Sequence, residues 1–388
     1  MNKKTQKGSE YKIIEENREK IVDKILKSPS KKKIVVGGPG TGKTYLFKRI
    51  LSKKGKTLTL TFVNALVEDL SLELCGLSTV KTLHSYAQNE LSRLSGSKIK
   101  IYPKLSEVIK KDAEILLGKN IKFDKLFHNR EDKNKYLNFY KKRKDYYNHY
   151  GYSDVIFGIV KLLEQTKDKV PEYEQIVVDE FQDFNKLEVS LIKLLSVKSP
   201  VLLVGDDDQA LYENLKDASP DHIRQIYYEK KLKYKSFVLP YCSRCTRVIV
   251  EVANDIIKTA TKKGFLKTRI KKPLKYFKDE NKDMESDQNP KIIYCQVFDR
   301  AIPWYIQDQL DNIAKIKRKK FTVLIISPIR RMAESIAESL KKKGLTNIEF
   351  IHKDFNEKPT LLEGLKLLLE KNKSNLGWRI VSQIHFYD

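Results

Sequence analysis

Cysteine is scarce, with four in 388 residues, at Cys75, Cys242, Cys245 and Cys295. Their scatter excludes the closely spaced framework of a small disulfide-stapled secreted domain. It suits a reducing compartment, and we expect a cytoplasmic protein. Long apolar runs are missing too. The longest, such as residues 33–37 and 200–205, are strand-length, far short of the ~20 residues that span a bilayer. The basic N-terminus MNKKTQKGSEYK has no apolar core behind it, so no signal-peptide pattern is visible and no membrane partner is expected. No segment repeats at a fixed period. Acidic residues are outnumbered, 50 against 76 Lys and Arg, for a formal net charge of +26. A field of that sign attracts polyanions. AT-rich coding DNA also inflates Lys, Ile, Asn and Tyr, so charge alone does not decide the partner.

The length suggests two to three domains at roughly 100–200 residues each. Apolar runs at 34–38, 57–62, 176–179 and 201–205 read as buried parallel strands. Helical spacing follows them at 41–51, 64–74 and 186–195. Alternation of this kind means a parallel sheet with helices on both faces. Residues 85–169 differ: they are helical in pattern and rich in Lys and Tyr. Between Lys98 and Tyr150 there are 15 basic and 7 acidic side chains, a net of +8. This region reads as an insertion into the first α/β domain. A second α/β unit is expected after Leu239, with a helix over 243–262, a polar loop over 278–290, strands at 291–297 and 322–326, and a helix over 331–342. Helical segments at 360–370 and 376–385 close the chain.

Three motifs carry chemistry. GGPGTGKT, Gly37 to Thr44, satisfies G-x-x-x-x-G-K-[ST] between a strand and a helix. Gly38, Pro39, Gly40, Thr41 and Gly42 would wrap backbone N–H groups around phosphate oxygens at a helix N-terminus. Lys43 would reach the β- and γ-phosphates, and the Thr44 hydroxyl would ligate Mg2+. IVVDEFQDFN ends its strand on Asp179, which would hold Mg2+ through water, and Glu180, which would orient and deprotonate the attacking water. VLLVGDDDQALY ends its strand on three consecutive carboxylates. These would repel one another, so a nearby cation or helix N-terminus is expected. Gln209 behind them is placed to feel a γ-phosphate.

In this order the motifs resemble the superfamily 1 helicases of the UvrD/Rep/PcrA type. Further elements support the resemblance. LTLTFVNALVEDL is similar to the family's motif Ia, with Thr61, Phe62 and Asn64 at its characteristic positions. VKTLHSYA is similar to T-x-H-S-F, with Thr82 and His84. Both elements touch single-stranded DNA in the family. In DEFQDFN, Gln182 matches a coupling glutamine. GDDDQALY is close to G-D-x-x-Q-x-I-Y, which adds Tyr212, and Lys216 falls near the family's base-stacking aromatic, as a nucleic-acid candidate. The resemblance implies ATP and Mg2+ as cofactors, single-stranded or partly duplex DNA as partner, and 3′ to 5′ movement. It implies an α/β fold with these parts: a RecA-like P-loop domain 1A over 1–84 and 170–239, a helical subdomain 1B over 85–169, a partial second RecA-like domain 2A over 240–358, and the start of a 2B-like helical insertion over 359–388.

LPYCSRCT, Leu239 to Thr246, lies where the family has N-Y-R-S. The alignment puts Arg244 on the arginine that reaches the γ-phosphate and Ser243 on the tyrosine that stacks on adenine. Tyr241 is the candidate to compensate. Asn17 takes the place of an adenine-reading glutamine, so looser base selectivity is expected. No second C-x-x-C exists, and no zinc is expected. Motifs V and VI have no counterpart before Asp388. The expectation is therefore a fragment of a longer helicase with a missing C-terminal half, or a shortened homologue working with a protein partner, which in either case binds nucleotide but hydrolyses it poorly by itself. The alternative is a nucleotide- and nucleic-acid-binding non-motor subunit of a nuclease or antiviral defence assembly.

Overall fold

The short apolar runs become the buried strands of one parallel sheet. The structure, a computed structural model, describes residues 3–52, 54–61, 64–210, 217–288, 290, 292–316, 321–349 and 358–387. The strands are β1 (Lys32–Gly37), β2 (Thr57–Thr61), β3 (Thr79–Thr82), β4 (Gln175–Val178), β5 (Val201–Gly205) and β6 (Lys235–Leu239). Their order is β3-β2-β4-β5-β1-β6, every neighbouring pair parallel. The expected parallel sheet is present, with β3 and β6 added at its two edges.

Side chains alternate between two cores. Ile34, Val36, Ile176, Val178 and Leu203 join one, under the helices between β3 and β4 and helix Lys186–Leu195. Val35, Val177, Leu202 and Val204 join the other, with Val22 and Ile25 of helix Lys3–Leu26 and Leu46, Phe47 and Ile50 of helix Lys43–Leu51. Both faces are covered, which is why these strands read as unbroken apolar runs.

Between β3 and β4 lie five helices: Leu83–Ser95, Leu105–Leu117, Phe123–His128, Tyr136–Tyr147 and Tyr152–Gln165. The C-terminal helices Leu361–Glu370 and Asn375–Tyr387 dock on this region. Leu376 and Ile380 are fully buried there. Arg379 Nε donates to Asp112 Oδ1 at 2.7 Å, and Lys104 Nζ to Glu363 Oε1 at 2.7 Å.

After β6 the chain forms a two-residue parallel bridge between Tyr241–Cys242 and Lys275–Tyr276. The helix expected from residue 243 begins only at Arg247, with Thr246 at its N-cap, and runs to Lys262. The stretch expected as a loop over 278–290 contains a helix, Glu280–Gln288. Its sequence has no apolar stripe. Acidic Glu280 and Asp283 suit its first turn, and tertiary bonds fix it: Lys282 Nζ donates to Ser243 O, and Arg247 N–H donates to Ser286 Oγ at 3.1 Å.

The chain divides into two compact units, Met1–Pro290 with Glu357–Asp388, and Lys291–Asn356. In the second, helices Ile302–Ile316 and Arg330–Lys342 pack together. The strands expected near 291–297 and 322–326 do not form among the described residues. Ile293 is 70% and Leu324 74% exposed. Apolar, β-prone sequence makes a strand only where a neighbour supplies hydrogen bonds.

Candidate nucleotide-binding site

The strand order makes β4, β5 and β1 neighbours, so the turns that close them share one crevice. Gly42, at the N-cap of helix Lys43–Leu51, has φ +86°, and Gly40 has φ +67°. Neither conformation suits a side chain. Space at Gly40 is also taken: an added Cβ would lie 2.3 Å from Arg244 Cβ. Inside the loop, Thr41 Oγ1 donates to Gly38 O at 2.8 Å.

Lys43 Nζ lies 3.3 Å from Glu180 Oε1. Glu180 adopts φ 49°, ψ 43°, a left-handed conformation that costs a non-glycine residue about 1 kcal/mol. Its N–H donates to Asp179 Oδ1 at 3.0 Å. Asp179 is buried, and its N–H donates to Leu60 O at 2.9 Å, tying β4 to the end of β2. Burial first, then the neighbouring Glu180 charge, push the Asp179 carboxyl up to about 6, against the pull of Lys43. A buried carboxylate this poorly compensated, beside a phosphate loop, suits a cation.

Gln182 is the connector. Its Nε2 donates to Glu180 Oε2 at 2.8 Å, and its Oε1 accepts from Asp206 N–H at 3.0 Å. Gln209 Nε2 donates to Asp206 Oδ2 at 2.6 Å. The cation expected for the carboxylate run is present as Lys272, which pairs with Asp206, Asp207 and Asp208.

The LPYCSRCT stretch seats on the phosphate loop. Ser243 N–H donates to Gly40 O at 2.9 Å, and Ser243 Oγ to the same oxygen at 3.2 Å. That commits Ser243 to holding the loop. Arg244 has its Cβ against Gly40 and its side chain exposed. Cys242 is buried beside Gly40, Cys245 is half-buried, and both are free thiols.

Tyr241 is half-buried, with Lys275 Nζ 5.8 Å from its ring centre, and Asn17 is half-buried on the first helix. The neighbour of Asn17 is the residue that reaches the loop. The Arg18 guanidinium lies 4.9 Å from the Tyr45 ring and 5.3 Å from the Phe277 ring, and 3.3 Å from a Cβ built on Gly42. Sequence reasoning missed Arg18, Phe277 and Lys272. Arg18 had a local signal, its place beside Asn17. Phe277 and Lys272 are brought in only by tertiary folding.

The nucleic-acid candidates fall on the other half of the same sheet edge. Thr61 and Thr82 are register partners at the ends of β2 and β3. Thr61 Oγ1 is buried with no hydrogen-bond partner among the described residues. Thr82 Oγ1 accepts from Ser85 N–H at 3.2 Å and caps helix Leu83–Ser95. The His84 ring meets that of half-exposed Tyr152 edge-on at 5.1 Å, a pairing the sequence did not announce. Asn64 opens helix Asn64–Glu73. Phe62, Tyr212 and Lys216 lie outside the described residues.

Comparison with known proteins decides the family. A family model described as an AAA domain matches residues 18–214, half of the chain and all three motif-bearing strands. The chain belongs to this family, as a superfamily 1 UvrD-like member. Among curated relatives, "ATP-dependent DNA helicase srs2" of Schizosaccharomyces pombe is 30% identical over 146 residues, 34% of this chain and 15% of that protein. "DNA helicase II" of Haemophilus influenzae is 32% identical over 111 residues, 27% of this chain and 15% of that protein. "Probable DNA helicase II homolog" of Mycoplasma capricolum is 26% identical over 281 residues, 58% of this chain and 38% of that protein. The matches thus span from 15% to 38% of these relatives' own length. In this UvrD-like member the RecA-like P-loop fold is the sheet described above. No helix among the described residues is long and apolar enough to cross a membrane.

Proposed function

We propose that the first unit is an ATP-hydrolysing motor domain that couples nucleotide turnover to movement along single-stranded DNA, 3′ to 5′. One observation carries the reading: Lys43, Glu180, Gln182, Asp206 and Gln209, from the ends of three adjacent strands, form one continuous polar chain. In this reading the phosphate-loop N–H groups and Lys43 hold the β- and γ-phosphates. Thr44 by its hydroxyl and Asp179 through water would hold Mg2+, whose charge would offset the burial that raises the Asp179 carboxyl. The ion would neutralise charge on the phosphates. Glu180, turned into the crevice by its left-handed backbone, takes the proton of the attacking water. Gln182 passes its position to Asp206 and Gln209. Arg244, stationed over Gly40, supplies positive charge to the γ-phosphate.

Support for the DNA half is the placement of Thr61 one strand from Asp179, at the end of β2, and of Thr82 and His84 at the end of β3 beyond it, with β2 tied to Asp179 through the bond to Leu60 O. Arg18, beside Tyr45, Phe277 and Gly42, is the candidate base contact in place of the Ser243 position. An arginine face is sequence-tolerant toward purines and pyrimidines, which supports the expectation of loose base selectivity.

ATP turnover measured with and without single-stranded DNA tests this function. Turnover that rises with the strand and disappears in Lys43→Ala is expected. Tight ATP binding that no nucleic acid alters would instead favour a non-motor, nucleotide-sensing subunit.

A further inference from the structure

The carboxylates Asp206, Asp207 and Asp208 have ligand atoms close enough together to hold a cation. The cation among them is the protein's own. Lys272 Nζ lies 2.8 Å from Asp206 Oδ1 and 2.9 Å from Asp208 Oδ2, and it donates to Asp207 Oδ1. Arg224 Nε donates to Asp207 Oδ2 at 3.0 Å, and Arg269 Nε to Asp208 Oδ1 at 2.9 Å. Lys272 is 8% exposed. Burial disfavours its charge, but Asp206 and Asp207 outweigh burial and hold the ammonium above its ordinary range.

Two connections give this knot a role beyond stability. On one side, Asp206 takes part in the chain that leads through Gln182 and Glu180 to Lys43, and it accepts from Gln209. On the other, the backbone that carries Lys272 continues to Leu274, which packs at Gly38. Lys275 N–H then donates to Pro240 O at 2.7 Å and Phe277 N–H to Cys242 O at 3.0 Å, two residues from Arg244. Both ends of this path touch the phosphate loop.

We propose that Lys272 is a positioning residue that couples the two halves of the nucleotide site. Its ammonium fixes Asp206, and with it Gln182 and Gln209, to the segment over 269–277 that braces the Arg244 loop. A change at the γ-phosphate felt by Glu180 or Gln209 then reaches residues 239–246 through Lys272, in addition to the direct bonds of Ser243 to Gly40 O. The residue itself touches no reacting atom. The inference rests on the nucleotide reading above.

Amide hydrogen exchange on the full chain, with and without a non-hydrolysable ATP analogue and Mg2+, tests it. Wild type is expected to gain protection at both 37–44 and 239–246. Lys272→Met should keep the response at 37–44 and cut the response at 239–246 at least twofold. Lys272→Arg should restore most of it. Should Lys272→Met fail to fold, the double variant Lys272→Met/Asp207→Asn removes one buried anion with the cation and carries the same comparison. A wild-type response at 239–246 in either variant overturns the coupling role. So does failure of both variants to fold, which would assign Lys272 to stability alone. Absence of protection at 37–44 in wild type would instead strike the nucleotide reading, and a response there without one at 239–246 would strike only the coupling.

Discussion

Lys43, Glu180 and Gln209 follow the ends of three adjacent strands of a six-stranded sheet, Lys43 as the first residue of its helix. Arg244, Lys272 and Phe277 come from residues 239–277, where a two-residue bridge and one helix are the only regular elements. The first half is set by apolar burial: every residue of β4 and β5 is buried. The second is held to the first by polar bonds, from Ser243 to Gly40 and from Lys272 to the carboxylates, and by a few buried side chains, among them Leu239, Cys242 and Ile270. Burial on both faces of a sheet leaves little room to move. A segment with few buried apolar contacts can shift at lower cost. In the proposed function, chemistry falls to the rigid half and response to the yielding half.

The largest effect should come from the rigid half. Glu180→Gln keeps the shape and removes the proposed base. Single-turnover hydrolysis of bound ATP should fall by roughly 10²–10⁴, with ATP affinity within threefold of wild type. An equal loss of affinity would mean that Glu180 serves binding instead. Next, Lys43→Ala should weaken ATP binding roughly 100-fold, because a charge-assisted phosphate contact is lost.

The yielding half should give smaller changes. Gly40→Ala puts a methyl group against Arg244 Cβ and strains φ, so the 239–246 stretch must lift from the loop. Titration should show ATP affinity about tenfold weaker with little change in melting temperature. A large drop in melting temperature would show that the contact is structural glue, and the comparison would blur.

The smallest effect lies outside both halves and serves as a control. Asp154, in the first turn of helix Tyr152–Gln165, accepts from Gly151 N–H at 3.2 Å. Burial chiefly, with help from Asp124 and Asp145 and against Lys144, pushes its carboxyl up to about 7 from an ordinary 3.8. The folded state therefore holds this proton more tightly than the unfolded state. The resulting stability is full below about pH 4 and is lost as pH rises through 7. Melting temperature should fall by a few degrees between pH 5 and 7.5 in wild type relative to Asp154→Asn. Nucleotide affinity should follow neither change.

The same division marks what the amino-acid sequence reveals. A phosphate loop, a strand-end carboxylate pair and a following Gln are local patterns, and apolar runs announce the strands that carry them. Arg244 was reached only by laying CSRC on a family motif. Lys272 meets its partners from 64 to 66 positions away, and nothing around RIKK in the chain says so. Helix Glu280–Gln288 escaped notice because bonds to Ser243 and Arg247 hold it, not an apolar stripe. The strands expected near 291–297 and 322–326 fail the other way, since β-prone composition does not provide a pairing neighbour.

The central claim is that the turns after β1, β4 and β5 together make a nucleotide site. Equilibrium titration of wild type and Lys43→Ala with a fluorescent ATP analogue and Mg2+ tests it most directly. Saturable binding by wild type, competed by ATP and weakened roughly 100-fold in Lys43→Ala, is the result predicted. Equal binding by the two proteins, or none by the folded wild type, would contradict it.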